Sequence, residues 1–149
     1  MKLFLGADHR GFERKNEIKT WLESLGHEVV DCGNTVLDPL DDYPDFAFAV
    51  AQNVAADPNS RGIIFCGSGT SVTIAANKID GIRAADAFSA DEVRHSRKHD
   101  DLNVLAIAAD YTSTEDAKTY ITVFLTEPFS PQEKYIRRIK KIEEQEKVN

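Results

Sequence analysis

The stretch Gly62-Ile63-Ile64-Phe65-Cys66-Gly67-Ser68-Gly69-Thr70-Ser71 decides the fold. Its first four residues form the apolar, β-branched run of a buried strand. Two glycines then break that strand, and a helix is expected from there through Lys78. Outward in both directions the same unit repeats. Residues 3–5 are strand-like and stop at Gly6-Ala7-Asp8, and Ile18, Trp21, Leu22 and Leu25 follow at helical spacing before Gly26, a C′ stop. Residues 28–31, 82–85 and 103–108 supply three more strands. Phe46, Ala47, Val50, Ala51 and Val54 form the apolar stripe of a helix that Asp45 would cap. Ser89 with Glu92 three residues on has capping-box spacing, Ser113 or Thr114 opens another helix, and a last one follows Pro131. Alternation of this kind predicts an α/β protein with a parallel sheet covered on both faces, its ligands at the carboxyl ends of the strands. Residues 1–149 are expected to form one domain with a C-terminal helix.

Charge narrows the partners. The 149 residues carry 18 basic and 25 acidic side chains, a formal −7. Such a balance argues against nucleic acid. Five cations stand in residues 134–141 without one acid, so the other positions together carry −12. No stretch approaches the roughly 20 apolar residues of a membrane span, and the start is too polar for a signal peptide. Cys32 and Cys66 form no zinc or disulfide pattern. The expectation is a soluble, reduced, cytoplasmic protein.

The loop from Cys66 to Ser71 combines a thiol with glycines that let backbone N–H groups approach an anion closely. It offers a base or nucleophile beside oxyanion donors, although a small buried residue before a tight turn would read the same way. It is neither a Walker A loop nor a dinucleotide fingerprint. Asp8-His9 follows the first strand on the same edge. Asp8 could contact a polyol, charge the histidine or cap the next helix. His99 ends the fourth helix, as a proton shuttle or as a partner of the helix dipole. His27 and His95 read as surface residues. Lys134, Arg138 and Lys141 form a basic helical stripe away from the apolar stripe of Tyr135, Ile139 and Ile142. That stripe is either a solvated face or a phosphate clamp reaching a neighbouring subunit.

Taken in order, Gly6-Ala7-Asp8-His9-Arg10-Gly11-Phe12, Asp42-Tyr43-Pro44, Cys66-Gly67-Ser68-Gly69, Ile74-Ala75-Ala76-Asn77-Lys78, Gly81-Ile82-Arg83-Ala84 and the segment from His99 to Ala106 resemble the type B ribose-5-phosphate isomerases and their galactose- and allose-6-phosphate isomerase relatives. The resemblance spans nearly the whole chain. It implies a Rossmann-like three-layer α/β/α sandwich with a five-stranded parallel sheet. It implies a homodimer, or a dimer of dimers, with sites at the subunit interface, and aldose–ketose isomerisation without metal or cofactor. By this resemblance Cys66 moves a proton between C1 and C2 of a sugar phosphate, and the backbone of Gly67, Ser68, Gly69, Thr70 and Ser71 holds the oxyanion. His99 opens the sugar ring, Asp8 and His9 contact the sugar, and Tyr43 lies near the pocket.

The chain departs from the family pattern at Ser71, commonly Gly, and at Asp100, commonly Asn. Asp110 stands where the family has a phosphate-binding arginine, which exchanges attraction for repulsion. Arg138, and Lys134 beside it, match the C-terminal basic positions. Ribose 5-phosphate is the expected substrate. A six-carbon sugar phosphate, a non-catalytic binding subunit and a nucleotide-binding regulator of flavodoxin-like topology are the alternatives.

Overall fold

A computed structural model describes residues 1–148; Asn149, the last residue of the expected domain, lies outside the described residues. The elements are β1 (Lys2–Ala7), α1 (Phe12–Ser24), β2 (Glu28–Asp31), α2 (Tyr43–Ala56), β3 (Arg61–Cys66), α3 (Thr70–Ala76), β4 (Ala84–Asp86), α4 (Ala90–Asp100), β5 (Val104–Ala108), α5 (Thr114–Thr126) and α6 (Glu133–Glu146). Every strand pairing is parallel, and the order is β2-β1-β3-β5-β4.

Two apolar layers follow from the period-2 alternation of the strands. Leu3, Leu5, Ile63, Phe65, Leu105 and Ile107 face α1, α4 and α5. Phe4, Ile64, Cys66, Val104 and Ala106 face α2 and α3. The result is the expected three-layer α/β/α sandwich. Glycines set how closely α2 lies on the sheet. A Cβ on Gly6 or Gly62 would stand 2.8 or 2.6 Å from the Val50 side chain. That seating brings the start of α2, and Tyr43 with it, to the carboxyl edge of the sheet.

Several boundaries differ from the sequence reading. Helix α2 starts at Tyr43 with Asp42 as N-cap, because Pro44 fits the first turn, where its missing N–H costs nothing. Helix α3 stops at Ala76, and the chain turns at Lys78 and Ile79. Strand β4 begins two residues late because the Ile82 N–H is taken by a turn to the Ile79 carbonyl. Ser89 caps as expected, and of Ser113 and Thr114 it is Ser113 that caps α5; the two serines accept the amides of Glu92 and Asp116 at 3.1 Å. The flavodoxin-like alternative fails on strand order, since β5 lies between β3 and β4. From β1 the chain moves outward to β2 and then returns across to β3, so the order reverses between β1 and β3. Ligands of open α/β sheets bind at the carboxyl end of such a reversal. Among the described residues no helix is long and apolar enough to cross a membrane.

Candidate active site

Cys66 ends β3 at that reversal. Its side chain is buried toward α2 and α3, and its Sγ accepts the Gly69 N–H at 3.0 Å. The turn that permits this contact depends on Gly69, whose φ is +77°. A Cβ at Gly69 would also stand 2.3 Å from Asp86 Oδ1. The Asp86 carboxylate supports the loop from behind, accepting the hydroxyls of Thr70 at 3.2 Å and Thr73 at 3.1 Å. Burial pushes the Asp86 carboxyl above its ordinary range, and the two threonine bonds oppose that shift. The segment after β5 closes the other flank. Ala109 N–H donates to the Cys66 carbonyl at 2.8 Å, and Asp110 N–H to the Gly67 carbonyl at 3.1 Å.

A cavity of about 260 Å³ opens on this loop. Cys66, Gly67, Ser68 and Ser71 line it, together with Asp8 and Tyr43. The amides of Ser68 and Ser71 donate to no acceptor among the described residues, so they remain available to a ligand oxygen. Gly69 and Thr70 belong to the loop, but the Gly69 amide serves the thiol and the Thr70 hydroxyl serves Asp86.

Asp8 does not cap α1, whose N-cap is Gly11 without a side-chain bond; it closes the turn before the helix and still lines the cavity. Its Oδ1 accepts the amides of Arg10 at 3.0 Å and Gly11 at 3.2 Å. Burial raises its carboxyl above the ordinary range, and those amides pull it back. The carboxylate that orients His9 is a different one. Asp41 Oδ1 accepts the His9 amide at 2.9 Å and meets its Nδ1 at 2.7 Å. This bond holds His9 above the usual imidazole range. Asn34 Nδ2 in turn donates to Asp41 Oδ2 at 3.0 Å. Sequence spacing gave no signal for Asp41, which lies 32 positions from its partner.

Asp110 also lines the cavity, where the resemblance led to an expectation of bare repulsion. Instead its Oδ2 accepts Arg10 Nη2 in an ion pair between two residues of the cavity lining. The negative charge there is paired.

The other expected site residues lie elsewhere. His99 and Asp100 occupy the last turn of α4, a helix that returns the chain to the start of β5, at the amino edge of the sheet. His99 stacks on Tyr135 of α6 at 4.3 Å and shares a 3.0 Å hydrogen bond with His95. His95 is exposed, as the sequence reading expected, but it has in His99 a partner that reading did not give it, and their i, i+4 spacing was the available signal. Burial, and then His95, hold His99 below the usual imidazole range. Lys134 Nζ rests over the Tyr135 ring at 4.9 Å. Asp100, Arg138 and Lys141 line a separate, mostly apolar groove of about 650 Å³ beneath α6, together with Ile139 and Ile142. Arg138 and Lys141 of the basic stripe and Ile139 and Ile142 of the apolar stripe thus border one groove. Within one chain, neither His99, Asp100, Lys134 nor Arg138 lines the Cys66 cavity. Among the described residues no three His, Cys, Asp or Glu side chains converge as metal ligands would.

A parallel sheet with a thiol, amides without an acceptor and a carboxylate at its switch point marks an α/β protein whose site suits a small oxygen-rich anion. The Ribose/Galactose Isomerase family model matches residues 3–142, and the chain belongs to that family. It is 38% identical over 149 residues to ribose-5-phosphate isomerase B of Mycolicibacterium paratuberculosis, covering 100% of this chain and 94% of that protein. Ribose-5-phosphate isomerase B of Clostridium thermocellum superposes with a TM-score of 0.94 at 38% identity, over 99% of each chain. The Mycoplasma genitalium enzyme, solved with bound ribulose-5-phosphate, gives 0.95 at 36% identity, over 99% of this chain and 97% of that one.

Proposed function

We propose that this protein interconverts ribose 5-phosphate and ribulose 5-phosphate by proton transfer through an enediolate. The observation that carries the reading is the Cys66 Sγ, fixed by the Gly69 amide on the wall of a cavity that also presents the free amides of Ser68 and Ser71. In the open-chain aldose the Cys66 thiolate takes the proton from C2. Charge moves onto the C1 oxygen, where preorganised amides stabilise it best. The thiol then returns the proton to C1, while a hydroxyl proton passes from O2 to O1. Asp8, His9 and Tyr43 bind the sugar hydroxyls. A thiol used as a proton carrier must stay reduced, and the proposal puts the enzyme in the cytoplasm.

His99, Asp100, Lys134 and Arg138 complete the site from a second copy, with His99 opening the furanose ring and the two cations holding phosphate. Helix α4 and strand β3 end at opposite edges of one sheet, so a single chain does not unite them. Exposed apolar side chains at Val36, Leu40, Phe88 and Tyr111 supply surface that a homodimer would cover.

The test is ketose formation from five- and six-carbon aldose phosphates. Cys66→Ala should lower turnover on ribose 5-phosphate by about 10²–10⁴-fold while binding persists in calorimetry. Cys66→Ala and His99→Ala chains refolded together should recover about a quarter of wild-type activity, because about half the dimers are mixed and each holds one intact site of two. A folded wild-type protein that turns over none of these phosphates refutes the reading, and absence of recovery on mixing refutes the shared site.

A further inference from the structure

Arg10 is the single cation among the side chains lining the Cys66 cavity. It is held from two directions. Its amide is fixed by Asp8 Oδ1, two residues back. Its guanidinium reaches Asp110, 100 positions further along the chain, on the segment that follows β5. Gly67 lies directly beneath this pair, for a Cβ there would stand 2.6 Å from Arg10 Nε and 2.8 Å from Asp110 Oδ2. The guanidinium is therefore laid across the backbone of the Cys66 loop, beside the free Ser68 amide.

Stability does not account for this arrangement. The Arg10 side chain is 58% exposed and Asp110 is 35% exposed, and pairs of that exposure contribute little to folding. Availability is the more telling property. The Asp110 contact occupies one of the five N–H donors of a guanidinium, leaving the rest to a ligand. Charge points the same way. Without Arg10, the cavity would present the carboxylates of Asp8 and Asp110 and no cation, a field that repels any dianion.

We propose that Arg10 binds the phosphate group of the substrate and that Asp110 is the positioning residue that holds its guanidinium over Gly67. The proposal rests on the sugar-phosphate reading above and extends it to a residue outside the expected site. Asp110 then works as a splint for a cation in the same chain rather than as an obstacle to phosphate.

The experiment compares wild type, Arg10→Gln, Asp110→Asn and the double variant for KM and kcat on ribose 5-phosphate. Inorganic phosphate is titrated in parallel by calorimetry. Loss of charge-assisted bonds should raise KM and the phosphate Kd of Arg10→Gln about 10–100-fold. The effect on kcat should be much smaller, since the phosphate is remote from the reacting carbons. Asp110→Asn should weaken phosphate about threefold or more, and the double variant should be no worse than Arg10→Gln alone, the non-additivity of residues acting as a unit. An Arg10→Gln protein within about twofold of wild type on both measures overturns the role of Arg10. Tighter phosphate binding by Asp110→Asn overturns the positioning role, because it is the outcome of simple repulsion. A wild type that binds inorganic phosphate through Arg10 yet isomerises nothing would refute the enzymatic reading alone. One that binds no phosphate refutes this proposal.

Discussion

Replacing Lys15 with Met tests whether one buried cation supports the sugar-binding side of the cavity. The Lys15 side chain is fully buried on α1, and its ammonium donates to both Asp31 oxygens at 2.8 and 2.9 Å and to the Asn34 carbonyl at 2.9 Å. Met keeps most of the apolar stem and removes all three bonds. Asp31 is then left 15% exposed without its partner. Breaking a buried pair in this way costs about 3–5 kcal/mol. With a urea slope of about 2 kcal/mol/M, the midpoint should fall by about 1.5–2.5 M. The loss should reach the site too, because Asn34 binds Asp41 and Asp41 binds His9. KM should therefore rise in Lys15→Met. Changing Asp31 to Leu in the same chain removes the stranded carboxylate, so the double variant should regain part of the midpoint. Urea unfolding followed through Trp21 fluorescence and circular dichroism gives the measurement. A loss below about 1 kcal/mol, or a double variant less stable than Lys15→Met, would refute the assignment of Lys15 as the anchor.

Gly69→Ala meets both the positive φ of +77° and the Asp86 oxygen 2.3 Å from the new Cβ, so it should cost about 1–3 kcal/mol and displace the amide from Cys66, read as a lower kcat and a lower urea midpoint. Adding Asp86→Ala relieves the clash but not the φ, and should restore only part. Asp41→Asn should bring the NMR titration midpoint of His9 down from its raised position toward the ordinary 6.5. Because the folded value lies above the unfolded one, the stabilisation from this pair is complete below about pH 6.5 and is lost as pH rises through the raised folded value; Asp41→Asn should flatten that part of the stability–pH curve.

Much of the architecture was legible because it is locally encoded. Gly26 ends α1 with φ +86°, Ser89 and Ser113 cap their helices, and the alternation through Ile63, Ile64 and Phe65 fixes which side chain faces which layer. The Cys66 loop was legible for the same reason, since a strand, a turn and a helix are adjacent in sequence. What escaped was pairing at long range. Asp41 reaches His9 over 32 positions and Arg10 reaches Asp110 over 100, and no local period records either. Lys15 shares the buried face of α1 with Ile18 and Leu22, but a lysine reads as solvated until the fold supplies Asp31, 16 positions on, as its partner. Family resemblance assigned position 110 by alignment alone, so it reported the sign of the charge there without its partner.

Topology explains why one chain holds an incomplete set of expected residues. In a parallel sheet each strand ends at the carboxyl edge and each connecting helix runs back to the amino edge. Cys66 ends β3 while Asp8 and Asp110 follow β1 and β5, and so the three meet at one edge. His99 and Asp100 close a returning helix, and Arg138 and Lys141 of α6 border the groove beside it. Residues from the two edges can share one substrate when a second copy turns its amino edge toward the first copy's carboxyl edge, and a two-fold axis creates two such sites at once. The net charge of −7 describes neither site. On the proposals above, a phosphate meets Arg10 in one chain and Lys134 with Arg138 in the other, and Asp110, the carboxylate paired with Arg10, is already engaged.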